Sequence, residues 1–189
     1  MSNSREKILA AVKANQPEEV PLPTVPTFTG DGSLDKFTSI VEAIGGQVIV
    51  VRGLSHLDEV VKDLYPTDYR IASELVDANV PVDAHTPIDV LAAVDLAVLR
   101  GEMGVAENGA IWLPEATMLN RALPMITQHL VLVLDHTHIV ATMHQAYERL
   151  GSAIGGYGTF LAGPSKTADI EQSLVIGAHG ARSLTVLLY

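Results

Sequence analysis

Hydrophobic positions along this chain follow two patterns, one typical of amphipathic helices and one typical of buried strands. Leu34, Phe37 and Val41 recur at intervals of three or four residues, which predicts a helix that ends at Gly45-Gly46. Short segments rich in apolar residues predict strands that are covered on both faces. These segments are residues 47–52, 69–72, 95–99, 110–113, 130–134, 159–162 and 184–188.

Further helices are predicted between these strands. One begins with a capping-box pattern at residues 55–58, and Pro87 occupies the first helical position of another. Strands that alternate with helices predict an α/β domain with a largely parallel sheet flanked by helices, in which ligands bind beyond the carboxyl ends of the strands. The predicted helices cover residues 55–64, a segment that begins at residues 86–87, a segment from residue 138 to about residue 150, and residues 168–176.

The N-terminal part of the chain differs from the rest. Residues 4–15 predict a short helix with three apolar side chains on one face. Residues 16–30 contain four prolines, which exclude a helix and predict an extended linker. The sequence therefore divides into an N-terminal helix and proline-rich linker, residues 1–30, and an α/β domain, residues 31–189.

Composition and charge narrow the class of protein. No stretch approaches the roughly 20 apolar residues that a membrane span requires, although 48% of the residues are hydrophobic. The net charge of −10 argues against nucleic acid as a general ligand. The absence of cysteine excludes disulfides, thiolate catalysis and cysteine ligation of an iron–sulfur cluster by this chain. The N-terminus lacks the apolar core of a signal peptide, so we expect a cytoplasmic location.

The loop at residues 163–169 is a candidate anion site. It joins a predicted strand to a predicted helix, where backbone N–H groups and the positive end of the helix favour an anion. The alternative is simple helix capping by a hydroxyl side chain, with a solvated lysine. The local sequence leaves both interpretations open. The candidate ligand-binding residues are Gly163, Ser165, Lys166, Thr167, Asp169 and, in the turn that follows, His179.

A second candidate is the segment Glu107-Asn108-Gly109-Ala110 between two predicted strands. Asn-Gly is a strong signal for a tight turn, so one interpretation is a turn beside an exposed glutamate. The functional interpretation is a carboxylate at a strand end that acts as nucleophile or base. On that interpretation Glu107 is the candidate catalytic residue, and Asn108 and Gly109 contribute to ligand binding.

The histidines at positions 136 and 138 raise the question of a metal site. Alternate residues of a strand share a face, so His136 and His138 could form a pair of ligands. No third ligand is evident in the sequence, and we predict no metal site.

The segment from Gly163 to Tyr189 resembles the C-terminal signature of the LUD family, the lactate-utilisation domain. The family pattern Gly-Pro-Ser-x-Thr-Ala-Asp-Ile-Glu is present, and Gly-x-His-Gly follows, with Ala181 where proline is usual. Upstream, residues 106–111 are similar to the family's Ala-Glu-x-Gly segment, with Asn108 where threonine is common. The resemblance extends over essentially the whole chain.

This resemblance implies both a fold and a function. The fold would be similar to the sugar-phosphate isomerase and CoA-transferase (NagB/RpiA-like) superfamily. The chain would be one component of a system that oxidises lactate to pyruvate with iron–sulfur oxidoreductase partners. It would bind a small carboxylate or phosphate and hold no cofactor itself.

Two alternatives remain open. A similarity of residues 106–109 to the Ser-Glu-Asn-Gly segment of CoA transferases implies an acyl-transfer enzyme that uses Glu107 as its nucleophile. The other alternative is a non-catalytic regulatory module that binds an anion. The sequence also leaves open whether the chain forms a homo-oligomer.

Overall fold

The computed structural model describes residues 3–151, 156–167, 175–177 and 180–189. Strands and short helices alternate through most of the chain, as the hydrophobic pattern predicts. In chain order the elements are α1 (Ser4–Ala14), α2 (Leu34–Ala43), β1 (Gln47–Val50), α3 (Leu57–Leu64), β2 (Ile71–Ser73), α4 (Ile88–Ala92), β3 (Leu96–Arg100), β4 (Met103–Val105), β5 (Ala110–Pro114), α5 (Leu123–Ile126), β6 (His129–Leu134), β7 (Ile139–Val140), α6 (Met143–Leu150), β8 (Gly158–Leu161), β9 (Lys166–Thr167), β10 (Val175–Ile176) and β11 (Ser183–Leu188).

A five-stranded parallel sheet with the order β1-β11-β6-β3-β2 forms the centre of the fold. The middle strands β6 and β11 pair along their whole length, and Leu132 lies opposite Val186. Both side chains are completely buried. Strands covered on both faces need not alternate polar and apolar residues, which explains the unbroken apolar runs. The predicted α/β class with a largely parallel sheet is confirmed.

A second sheet, which the sequence does not predict, packs beside the first. Its order is β7-β4-β5-β8, and β4 and β5 form an antiparallel hairpin. β4 has only three residues, including Gly104, where an added Cβ would lie 2.9 Å from Leu134 Cδ2. A strand that is short and contains glycine has little propensity signal. β8 pairs antiparallel with β5, so the strand predicted at residues 159–162 belongs to this second sheet, not to the parallel one.

The prediction of a helix over residues 168–176 is wrong at its end. β9 pairs antiparallel with β10, and Val175 and Ile176 lie opposite Thr167 and Lys166. The β-branched pair Val-Ile favours such a strand. Thr167 is therefore a strand residue and does not begin a helix. Residues 168–174 lie outside the described part of the chain.

Two predicted helix starts also need correction. Ser55 does not cap α3, because its hydroxyl lies 3.2 Å from the ring Nδ1 of His56 and a short 3₁₀ turn (Leu54–His56) precedes the helix. His56 stands at the N-cap of α3 without a side-chain hydrogen bond. Pro87 is the N-cap of α4 and not its first helical residue.

The N-terminal helix α1 has no buried residue, and the linker after it contains no regular structure. The end of the linker reaches the domain, where the Phe28 ring stacks on His144 of α6 at a centroid distance of 3.9 Å. An added Cβ at Gly32 would lie 3.2 Å from the backbone nitrogen of Ala141. Among the residues described here, no helix has the length and apolar character needed to cross a membrane.

A cluster of polar and aromatic side chains lies at the amino edge of the central sheet. The Nδ1 atom of His129, at the start of β6, lies 2.7 Å from Ser183 Oγ, at the start of β11. The Tyr69 ring stacks on the His129 ring, and the Tyr65 hydroxyl lies 3.0 Å from Thr185 Oγ1. Burial is the main cause that raises the pKa of Tyr65 and lowers the pKa of His129, and Arg182 adds to the second effect. The cluster therefore favours a neutral histidine.

This lowered pKa predicts a loss of stability in mild acid. His129 has an ordinary pKa of 6.5, and the folded state holds it below that value. As the pH falls below 6.5, the His129 ring takes up a proton in the unfolded chain before it does so in the folded protein. The contribution of the neutral ring to the free energy of unfolding is therefore complete above pH 6.5 and is lost as the pH falls through the folded pKa. In His129→Gln, the fall in Tm between about pH 7 and about pH 5.5 should be smaller than in the wild type. Equal falls in thermal unfolding curves would contradict this assignment.

Candidate functional site

The two segments that the sequence singles out meet at one cavity of about 550 Å³, called here the loop cavity. Asn108 lines it from one side, and Gly163, Ser165 and Lys166 line it from the other. Clefts of this size can hold a small ligand. The remaining wall is largely apolar and includes Ile44, Pro124, Met125, Leu130, Phe160 and Leu161.

The loop that begins at Gly163 is held in place by backbone contacts. Gly163 has a φ of +70°, and an added Cβ would lie 3.0 Å from the carbonyl oxygen of Ile44. The backbone N–H of Ser165 donates to Ala181 O at 2.8 Å, and its carbonyl accepts from Gly177 N at 2.9 Å. The loop is thus fixed by strand-like pairing, where the sequence predicts a helix start.

Lys166 is the basic side chain of the loop cavity. Its ammonium group donates to the carbonyl oxygen of Ile44, and the residue is exposed. An ammonium group has three donors, so this bond leaves two for a ligand. The side chain of Lys166 is therefore anchored beside the cavity with donors to spare.

The Asn108-Gly109 turn closes the β4–β5 hairpin. Asn108 Oδ1 accepts from Ala110 N at 3.1 Å, and Gly109 has a φ of +69°. An added Cβ at Gly109 would lie 3.1 Å from Ile44 Cδ1. Glycine at this turn thus lets the hairpin pack on Ile44 at the end of α2. The Gly163 loop contacts the same residue.

Glu107 points to a different place. Its Oε2 accepts from the backbone N–H of Met143, the first residue of α6, at 2.9 Å. Its own N–H donates to Ala141 O at 3.0 Å, and the residue does not line the loop cavity. A carboxylate at a helix N-terminus satisfies a free N–H group and complements the helix dipole. Asn108 therefore lies with the Gly163 loop at the loop cavity. The Glu107 carboxylate instead binds the N-terminus of α6.

The other candidate residues are placed less completely. Asp169 and His179 lie outside the described residues. His136 Nδ1 lies 2.6 Å from the carbonyl oxygen of Tyr189, and His138 Nδ1 lies 3.1 Å from that of Glu102. Within the described ranges, no group of three or more His, Cys, Asp or Glu side chains is arranged to hold a metal ion.

A second cavity lies at the carboxyl edge of the central sheet and has a volume of about 370 Å³. Arg100, His138 and Arg149 line it, and sequence reasoning did not select any of them as ligand-binding residues. A signal was available, because Arg100 directly follows the strand predicted at residues 95–99, and ligands bind beyond the carboxyl ends of parallel strands. Arg149, on α6, reaches the same place only through tertiary packing.

The position of Glu107 predicts a stability effect that separates capping from chemistry. Glu107→Ala removes the acceptor for the Met143 N–H and should lower the free energy of unfolding by about 1 kcal/mol. Glu107→Gln keeps a side-chain oxygen as acceptor but loses the charge, so it should cost about half as much. Urea unfolding measures both, with Glu18→Ala in the exposed linker as control. If Glu107→Ala is as stable as the control, the capping role is wrong.

The chain is similar in sequence to curated lactate utilization proteins and similar in fold to one solved structure. The lactate utilization protein C of Shouchella clausii is 29% identical over 46% of this chain and 40% of that protein. The lactate utilization protein C of a Geobacillus species is 26% identical over 98% of this chain and 79% of that protein. A DUF162 family protein from Deinococcus radiodurans has a similar fold, with a TM-score of 0.63, 18% identity, and coverage of 82% of this chain and 94% of that one.

The length of these alignments differs between relatives. The chain spans about 40% of the length of the relatives from Shouchella clausii and Bacillus mycoides that it matches. The LUD domain family model matches residues 71–189, from the start of β2 through β11. This match covers well over half of the sequence and confirms the resemblance in the motifs. The chain belongs to the LUD domain family.

Proposed function

We propose that this chain is a component of a lactate utilisation system and acts in the cytoplasm with iron–sulfur oxidoreductase partners that oxidise lactate to pyruvate. The observation that supports this most is the similarity to a lactate utilization protein C over 98% of the chain. Because the chain contains no cysteine, the cysteine ligands of any iron–sulfur cluster would come from the partners.

We further propose that the loop cavity binds a small carboxylate or phosphate. The anchored ammonium group of Lys166 supplies a positive charge in a chain with a net charge of −10. Ser165 adds a hydroxyl and Asn108 a side-chain amide at the same cavity. Charged and polar donors at the mouth of a largely apolar cleft are typical of sites for small anionic metabolites.

We also propose that this chain is related to the sugar-phosphate isomerase and CoA-transferase superfamily, because its fold belongs to the same α/β class. The acyl-transfer alternative has less support, because the Glu107 carboxylate binds the N-terminus of α6 and does not line the loop cavity. A regulatory anion-binding module would use the same Lys166 loop, and it differs from the main proposal only in lacking redox partners.

The dependence on partners predicts the behaviour of the purified chain. Alone, the protein should not reduce an electron-accepting dye with lactate. Affinity purification of the tagged full chain from its native cells should retain proteins that contain iron–sulfur clusters, detected by mass spectrometry and iron analysis. A tagged unrelated protein serves as the control. Lactate-dependent dye reduction by the chain alone, or retention of no iron above the control, would contradict the proposal.

The loop cavity predicts a specific effect of Lys166. Lys166→Met should weaken the binding of lactate, pyruvate or phosphate in the loop cavity by about 1.5–3 kcal/mol, or roughly ten- to a hundred-fold, because it removes charged donors. The matched control is Lys62→Met on α3, whose ammonium group pairs with Asp77 at 3.0 Å. Calorimetric titration measures the difference. If both variants bind all three anions as the wild type does, the loop cavity is not the site.

A further inference from the structure

We infer that the cavity at the carboxyl edge of the central sheet, called here the edge cavity, binds a hydroxylated organic anion. Arg100 and Arg149 would hold the anionic group, and His138 would accept a hydrogen bond from the hydroxyl. In the described part of the chain, no residue lines both the edge cavity and the loop cavity. The inference therefore stands independently of the proposed function.

The position of the edge cavity follows from the sheet. Arg100 is the last residue of β3, Asp135 follows β6, and Tyr189 follows β11, and all three line the cavity. These three strands are neighbours in the parallel sheet, so their carboxyl ends open at one edge. Backbone and side chains converge at such edges, which are the usual ligand sites of open α/β sheets. A volume of about 370 Å³ suits a small organic molecule.

The two arginines supply the positive charge. Arg100 and Arg149 are both exposed, and neither forms an ion pair with any residue in the described part of the chain. Arg149 comes from the last turn of α6, a different element from the strand that carries Arg100. Guanidinium groups present planar pairs of donors that match the oxygens of a carboxylate or phosphate. Both arginines line one cavity, and because neither is engaged in an ion pair with a described residue, their donors are available to a ligand.

Two carboxylates also line the edge cavity and restrict the kind of ligand. Asp135 Oδ1 accepts from Thr137 N at 2.9 Å and from Thr137 Oγ1 at 2.7 Å. These bonds hold the pKa of Asp135 below its usual value, so it stays ionised. Glu102 is the other acidic residue in the lining. Because cations and carboxylates occur together, the cavity suits a ligand that has a hydrogen-bond donor next to its anionic group.

His138 offers a matching acceptor. Its Nδ1 lies 3.1 Å from the carbonyl oxygen of Glu102. A carbonyl oxygen can only accept, so Nδ1 carries the proton and, in the neutral ring, Nε2 is a bare acceptor. No residue in the described ranges occupies Nε2. A hydroxyl of the ligand can donate to it while the arginines bind the anionic group.

The chain provides its own reporter for this cavity. Trp112 is the only tryptophan in the sequence and lines the edge cavity, together with the apolar side chains of Met103 and Leu150. Its side chain is 7% exposed, so a ligand that enters the cavity changes the surroundings of a mostly buried indole. Intrinsic fluorescence therefore detects binding directly.

The test compares L-lactate with propionate, which has the same carboxylate and carbon chain but no hydroxyl. In the full chain, both should change the tryptophan fluorescence, and lactate should bind about two- to ten-fold more tightly, as expected for one hydrogen bond. Arg100→Gln and Arg149→Gln should each weaken the binding of both ligands by about ten-fold or more. The matched control is Arg70→Gln, an exposed arginine before β2 at the opposite edge of the sheet, and it should bind as the wild type does.

The hydroxyl assignment has its own variant. His138→Phe should bind propionate as the wild type does and lose the preference for lactate, provided that its Tm and circular dichroism match those of the wild type. His138→Gln, which retains a hydrogen-bonding side chain, should recover part of the preference and covers the case in which phenylalanine disturbs the fold. Lys166→Met should leave these fluorescence titrations unchanged, which separates the edge cavity from the loop cavity.

Three outcomes would overturn the inference. If neither anion changes the fluorescence, or if Arg100→Gln and Arg149→Gln behave like Arg70→Gln, the edge cavity does not bind an anion. If the wild type binds lactate and propionate equally, the ligand class is wrong. None of these outcomes bears on the iron–sulfur partners or on Lys166, so a failure here is distinguishable from a failure of the proposed function.

Discussion

The parallel pairing of β6 with β11 is the interaction on which the rest of the structure depends. Six residues of each strand lie in register, from His129 opposite Ser183 to Leu134 opposite Leu188. Because the pairing is parallel, both amino ends lie at one edge and both carboxyl ends at the other. The amino edge carries the hydrogen-bonded histidine cluster, whereas the carboxyl edge opens into the cavity lined by arginines. A slip of one residue would move every side chain to the other face of the sheet.

Ile44 plays the corresponding part for the loop cavity. It follows α2 and contacts the Gly109 turn, the Gly163 backbone and the Lys166 ammonium group. Segments far apart in sequence thus meet at one apolar residue at the end of one helix. Glycine is needed at both loop positions, since each has a positive φ and a side chain there would collide with or crowd Ile44. The two cavities therefore have different origins: one is made by loops that pack on a helix end, and the other by strand ends.

Much of the fold can be predicted from residue patterns alone. All five strands of the central sheet, the helix α2 and the exposed N-terminal helix arise from hydrophobic spacing that is visible along the chain. The second sheet cannot be predicted from hydrophobic spacing, because β4 and β7 are short and are stabilised mainly by their neighbours. β9 and β10 have two residues each and form by pairing with each other, with seven residues between them. Their local sequence was compatible with a helix start, and the partner strand decided between the two.

The candidate sites divide in the same way. The sequence by itself determined which segments carry reactive or turn-forming residues. The glycine turns, the lysine in the Gly163 loop and the absence of cysteine can all be read directly from the order of residues. Only the tertiary structure decided how their side chains are used. It directs the Glu107 carboxylate to the N-terminus of α6, and it brings Arg149 to the cavity that Arg100 lines. The physical reason is that a hydrogen bond or a shared cavity depends on distance in space. The number of residues between two positions fixes that distance within one helix or strand, but not between two separate elements.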